Sequence, residues 1–265
     1  MNKKVKKYLG YLGKGIIAFF VSTILMVIIY RFVPVPYTLL MFQRGFERMA
    51  DGKSFQIKKD WVSKDKINPK LDLAVFCAED QNFLIHEGFD MKAIEAAMEY
   101  NEKHANSKHP KTRGASTISQ QCAKNVFLWP NRGWIRKGLE VYFTFLIEKI
   151  WSKERIMEVY LNVIEFGDGV YGAEAAAKTY FNCSASNLTA PQCALMAIVL
   201  PNPRKFNIAK PTSYMHKRQN WVMRQMGYQG GELDYDKEAE LKEKETKAQI
   251  QPTTTKNKKK KTKHI

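Results

Sequence analysis

The strongest hydrophobic signal in the chain lies at residues 15–33, GIIAFFVSTILMVIIYRFV, where Ser22 and Thr23 are the polar interruptions before Arg31. A helix of that length spans roughly 28 Å, close to the hydrocarbon thickness of a bilayer. Apolarity on every side predicts a transmembrane anchor and not a core helix. A cleaved signal peptide would need a shorter apolar stretch and a small-x-small site; Arg-Phe-Val-Pro-Val-Pro follows instead. Beyond it the pattern is helical. Leu71, Val75, Ala78 and Phe83 predict a helix ending near His86-Glu87-Gly88. Ile94, Ala97 and Met98 predict a second, and Leu139, Val141, Phe145, Leu146 and Ile150 a long third. Ile156, Val159, Tyr160 and Val163 predict a fourth. Thr189-Ala190-Pro191-Gln192 carries capping-box chemistry for another, which should stop before Pro201. Period-2 alternation is confined to Ser54-Phe55-Gln56-Ile57, the single hint of a strand. The fold class expected is therefore mainly α.

Charge refines the organisation. Lys and Arg number 43 against 26 Asp and Glu, a net +17. Five lysines fall within residues 1–14 and six within 256–265, with no acid in either segment, leaving +6 for everything between. The central part is thus only mildly basic, which argues against a nucleic-acid partner. The segments expected are a basic cytoplasmic stretch at 1–14, the anchor at 15–33, one domain at 37–228, and a charged, disordered tail at 229–265. Lysines ahead of the span place the N-terminus inside and the domain outside the cytoplasmic membrane. That removes NAD, ATP and other organic cofactors of the cytoplasm from consideration. Cys77, Cys122, Cys183 and Cys193 have no metal spacing. They are expected to be small buried hydrophobes, with a Cys183–Cys193 disulfide as the alternative.

Three polar clusters carry chemistry. Glu79 and Asp80 follow the apolar run Leu73-Ala74-Val75-Phe76, with Phe83 and His86 near helix-face spacing. A glutamate against an apolar wall has a raised pKa, which suits proton transfer. Ser116, Thr117, Gln120, Gln121, Lys124 and Asn125 bring hydroxyls, amides and an ammonium to a helix start. Such groups suit a phosphorylated, polyhydroxylated ligand. Arg136 and Glu140 are four residues apart and share a face, with Lys137 alongside.

The wording and order of these clusters resemble the glycosyltransferase family that polymerises lipid II into peptidoglycan strands. Its Glu-Asp-x-x-Phe-x-x-His-x-Gly-x-Asp motif is matched at 79–90, Gly-x-Ser-Thr-Ile-x-Gln-Gln-x-x-Lys-Asn at 114–125, and Arg-Lys-x-x-Glu at 136–140. Lys-x-x-Ile-x-Glu-x-Tyr-Leu-Asn follows at 153–162 and Gly-Val-Tyr-Gly-Ala-Glu-Ala-Ala-Ala at 169–177. The likeness covers about residues 60–228, and a transpeptidase domain would not fit beside it, which points to the monofunctional branch. Arg113 and Ala115 flank Gly114 where many relatives have Gly-Gly-Ser.

The resemblance implies a lysozyme-like domain, a membrane-dipping patch for which Val126-Phe127-Leu128-Trp129-Pro130 and Trp134 are candidates, and an inverting transfer of the glycan from undecaprenyl pyrophosphate to the 4-hydroxyl of lipid II. Glu79 would be the general base and Glu140 a second catalytic carboxylate. Asp80, Phe83, His86, Ser116, Thr117, Gln120, Gln121, Lys124, Asn125, Arg132, Arg136 and Lys137 would bind substrate. It also leaves room for Mg²⁺ or Mn²⁺ at Glu140, and for cell-wall synthesis and division proteins as partners beside lipid II, its glycan chain and the bilayer. Two other readings of the same residues are a lytic glycosidase, which would need an acid at the departing sugar oxygen, and an anchored scaffold without activity.

Overall fold

The computed structural model describes residues 3–105, 112–131 and 133–236. Arg132, the 106–111 stretch and the tail from 237 onward, where substrate binding and disorder are expected of Arg132 and the tail, lie outside the described residues. Ten α-helices and a three-stranded sheet make up the described part, as the mainly α reading anticipates.

Helix α1 runs from Lys3 to Phe32 and contains the expected apolar span. Its side chains are mostly exposed, as a lipid-facing helix requires: Ile17, Leu25 and Ile29 each lie more than half open. Helix α2 (Leu39–Ala50) follows the Pro34/Pro36 connector, capped by the Thr38 hydroxyl.

The core is built around α3 (Pro69–Glu79), in which every residue from Leu71 to Cys77 is buried. Asn68 caps it by accepting from Lys70 N–H at 3.0 Å, and Pro69 takes the first turn, where no N–H is needed. Its one buried charge, Asp72, is paired with Lys64 Nζ at 2.6 Å. Against α3 packs α9 (Ala190–Val199), apolar beyond Gln192, which α10 (Ser213–Tyr228) covers in turn. The α9 start is as expected: Thr189 N–H donates to Gln192 Oε1 at 2.8 Å, and the helix stops before Pro201.

A second layer consists of α5 (Ile118–Phe127), α6 (Trp134–Ile150) and α7 (Lys153–Val163), packed on one another. Helix α4 (Met91–His104) lies toward the surface, and α8 (Ala173–Phe181) follows the sheet. Strands β1 (Lys58–Lys59), β2 (Glu165–Gly167) and β3 (Val170–Tyr171) are ordered β1-β3-β2. β1 is parallel to β3, and β2 antiparallel with a bulge.

Several expectations are corrected. The first core helix ends at Glu79, not near Gly88, because Asp80 adopts φ −158° and starts a run of turns. Phe83 is core, but lies beyond the helix. The strand is at 58–59; Ser54–Ile57 only leads into it. In α6 the buried face is Glu140, Phe143, Thr144 and Ile147, while Val141 and Phe145 are exposed. In α4 Ala97 is buried and Met98 faces out. The hydrophobic stripes of these two helices therefore do not mark the core face.

Tyr142 on α6, Trp151 just after it and Arg155 on α7 tie this layer to α1. Tyr142 Oη lies 2.9 Å from Thr23 Oγ1, Trp151 Nε1–H donates to Val27 O at 2.8 Å, and Arg155 donates to Tyr30 O and Val33 O. Thr23 is nine residues before the end of α1, roughly 13 Å along its axis. Tyr142 thus sits alongside the lipid-facing helix. Trp134, 94% exposed, and Ile135, 79% exposed, precede it on α6. Of the sequence-based candidates for a membrane-contacting patch, Trp129 and Trp134 are exposed, whereas Val126 and Leu128 are buried between helices. All four cysteines are free, so the Cys183–Cys193 alternative is not formed.

Candidate active site

Glu79 closes α3, so the central helix of the core presents a carboxylate at the end of its apolar run. Burial pushes that carboxyl above the usual range, and the Gln121 hydrogen bond pulls it part of the way back. Gln121 Nε2–H donates to Glu79 Oε2 at 2.8 Å. Its other oxygen, Oε1, accepts no hydrogen bond from a described residue. Lys124 and Arg218 lie within electrostatic reach. Arg218, on α10, stacks on Trp221 at 3.9 Å and carried no signal in the sequence.

Glu79 lines an open cavity of about 180 Å³ with Asp80, Asp90, Arg113, Ser116 and Thr117. Drug-sized sites run roughly 300–1,000 Å³, so this cavity is smaller than a site for a whole glycolipid. Ser116 is exposed at its wall.

The neighbouring turn segment, residues 80–90, is stitched to the start of α5. Asp80 Oδ2 accepts from Ile118 N–H at 3.0 Å and from His86 Nε2–H at 2.9 Å. His86 Nδ1 accepts from Gly88 N–H at 3.0 Å, which fixes the proton on Nε2. Thr117 Oγ1 donates to Gly88 O at 2.7 Å. Gly88 has φ +88°, and a Cβ there would come within 2.8 Å of Thr144 Cγ2, so only glycine fits. Phe83 is fully buried, with His86 packed against it.

Several sequence-predicted binders are therefore engaged inside the protein. Asp80, Phe83 and His86 build the turn. Thr117 and Gln120 form a capping box, with Thr117 N–H donating to Gln120 Oε1 at 3.1 Å and Gln120 N–H to Thr117 Oγ1 at 3.2 Å. Asn125 Nδ2 donates to the Gln121 carbonyl at 2.7 Å within α5. Gln120 and Asn125 are both buried. The cap turns Gln120 inward, away from the cavity.

The cations do gather. Glu140 accepts from Arg136 at 2.8 Å and from Lys137 at 2.6 Å. Lys124 lies in the field of all three, and of Arg44 on α2. Burial lowers the Lys124 ammonium pKa, and Glu140 opposes that shift. Arg44 was missed as a site residue because its helix precedes every motif.

Behind the turn lies a buried network. Lys153 and Glu148, both almost wholly buried, pair at 2.8 Å. Lys153 Nζ also donates to His86 O at 2.6 Å and lies 4.8 Å above the Phe83 ring. Ser119 Oγ donates to Glu148. Glu148 and Ser119 stood out in no motif reading, since a polar residue in a helix gives no sign of its burial.

Residues 47–227 match a family model described as Transglycosylase. The chain is 56% identical over 222 residues to a "Biosynthetic peptidoglycan transglycosylase" of Bacteroides thetaiotaomicron, covering 84% of this chain and 88% of that protein. Proteins of the same name from Bdellovibrio bacteriovorus and Escherichia coli are 54% identical over 213 residues (80% and 83% covered) and 51% identical over 205 residues (77% and 83% covered).

Proposed function

Because the chain belongs to the transglycosylase family, it is a lysozyme-like peptidoglycan glycosyltransferase that polymerises glycan strands for the cell wall, and we propose that Glu79 is the general base of that transfer. The matched domain has no transpeptidase part. The carrying observation is a half-buried carboxylate with a raised pKa, one oxygen held by Gln121 and the other accepting from no described residue, within reach of a cation cluster.

In this reading the free oxygen takes the proton of the lipid II 4-hydroxyl as it attacks C1 of the donor glycan. The bond from C1 to the undecaprenyl pyrophosphate breaks with inversion. Pyrophosphate departs as an anion and needs positive charge, not a proton. Lys124, Arg136 and Lys137 supply that charge. Glu140 holds Arg136 and Lys137 in place, acting as a positioning carboxylate. The glycosidase alternative fits less well, since a departing sugar oxygen needs an acid and no cluster of cations, whereas Lys124, Arg136 and Lys137 gather around Glu140.

A Mg²⁺ or Mn²⁺ at Glu140 would have to share the carboxylate with Arg136 and Lys137, which already donate to its two oxygens. No three His, Cys, Asp or Glu side chains converge as a metal site among the described residues. The apolar α1 anchors the enzyme in a membrane. Its lysine-rich start supports the cytoplasmic membrane with the catalytic domain on the outer face. Other cell-wall synthesis proteins are plausible partners on location alone.

Glu79→Gln tests the base. It keeps the shape and the Gln121 neighbour but cannot accept the proton, so lipid II polymerisation should fall by about 10²–10⁴-fold with binding retained. Near-normal turnover would remove Glu79 from the role.

A further inference from the structure

We propose that Tyr160 is a positioning residue for this reaction: its hydroxyl fixes the Gln121 side chain so that the amide N–H, and not the carbonyl, faces Glu79. The inference rests on Glu79 being the base.

The geometry is a three-member chain. Tyr160 Oη–H donates to Gln121 Oε1 at 3.1 Å, and Gln121 Nε2–H donates to Glu79 Oε2 at 2.8 Å. The same Nε2 also points at Ser116 O, 3.5 Å away. The terminal torsion of a glutamine is soft and roughly two-fold, so its amide can turn over unless its two ends are told apart. Here they are told apart by what each faces. Turned over, the amide would set its oxygen against the carboxylate and leave the tyrosine proton without an acceptor.

Tyr160 suits this task. It is fully buried in α7, so water does not stand in for its hydroxyl. Burial, with Glu79 adding to it, holds the phenol pKa well above its ordinary value. The group therefore remains a donor at any working pH. The three members of the chain come from α3, α5 and α7, so the base is oriented by side chains of two other helices.

The consequence for titration has a definite sign. A donor to the ionised form favours that form, so the Gln121 N–H holds the Glu79 pKa down against burial. Loosening the amide weakens that donor and lets the pKa rise. Less of the base is then ionised at a given pH, and the acidic limb of turnover moves to higher pH. Glu79 also feels Asp80 beside it, Lys124 from α5 and Arg218 from α10. Tyr160→Phe changes none of these charges, so a moved limb reports the hydrogen bond.

The test is polymerisation of lipid II by the purified full chain across pH. Tyr160→Phe should lower kcat at neutral pH by about three- to tenfold, the scale of one net hydrogen bond. KM should stay nearly unchanged. The acidic limb should move up by about half a unit to one unit, with most activity regained above it. In a Gln121→Ala background the same substitution should cost nothing further, because the intermediary is gone. A limb that does not move in folded Tyr160→Phe, or a full additive loss in the double variant, overturns the proposal. Loss of thermal stability with an unmoved limb does so too, since that is a packing role. Glu79→Gln separates the two readings. If it retains turnover, the base assignment falls and takes this inference with it. If it is inactive while the Tyr160→Phe limb stays put, only the role of Tyr160 is lost.

Discussion

Lys153→Met should be among the most damaging single substitutions outside the cavity. Both members of the Lys153–Glu148 pair are almost sealed from solvent, with side chains 2% and 4% exposed. Methionine fills similar space but strands the Glu148 carboxylate, which keeps the Ser119 hydroxyl as a donor. Leaving one charge of a buried pair uncompensated costs about 3–5 kcal/mol. The His86 carbonyl also loses its donor at 2.6 Å, and the Phe83 ring loses the cation above it. For a domain of this size about 2–4 °C is lost per kcal/mol, so the melting temperature should drop by about 6–20 °C. The assay is thermal unfolding of the purified protein in detergent, followed by the Glu148→Leu and double variants. The double variant should recover much of the loss, because an apolar pair replaces the stranded charge. Recovery of turnover should be smaller, since the His86 carbonyl that steadies the 80–90 turn stays without its ammonium. A loss below about 1 kcal/mol for Lys153→Met would refute the reasoning, because that is the scale of a solvent-screened pair.

Three further outcomes are expected. Lys124→Ala should lower single-turnover rate far more than lipid II affinity, because its charge matters most as the C1–O bond breaks; equal losses in both would mean uniform substrate grip. Since burial lowers the Lys124 pKa, wild-type turnover should also fade as pH rises through it and the ammonium is lost, an alkaline limb that Lys124→Arg should abolish. A reporter fused after residue 228 should be active only outside the cytoplasm, and cytoplasmic activity would reverse the proposed orientation.

The sequence by itself determined the membrane span, the helical class, and the α7 and α9 segments. It also marked the three polar clusters that converge near Glu79. These are local properties: an all-apolar run of bilayer length, a capping box at Thr189, a stripe such as Ile156, Val159, Tyr160 and Val163 that is buried throughout. The boundary after α3 was less legible, because Asp80 and Phe83 continue the helical spacing while tertiary contacts bend the chain. Asp80 leaves the helix to bind Ile118 N–H, thirty-eight residues away.

Only the tertiary structure decided which polar residues face a ligand. Thr117, Gln120 and Asn125 share a motif with Ser116, Gln121 and Lys124, yet cap or brace their own helix. It also decided which hydrophobic stripe is core. In α6 the apolar Val141 and Phe145 turn outward, and Glu140 and Thr144 are buried instead. A sequence pattern assumes water outside and hydrocarbon inside. Where a helix lies against the membrane-spanning α1 and a cation cluster sits within the fold, that assumption fails on both faces. Which side chain is then buried, paired or free depends on what the rest of the chain brings against it.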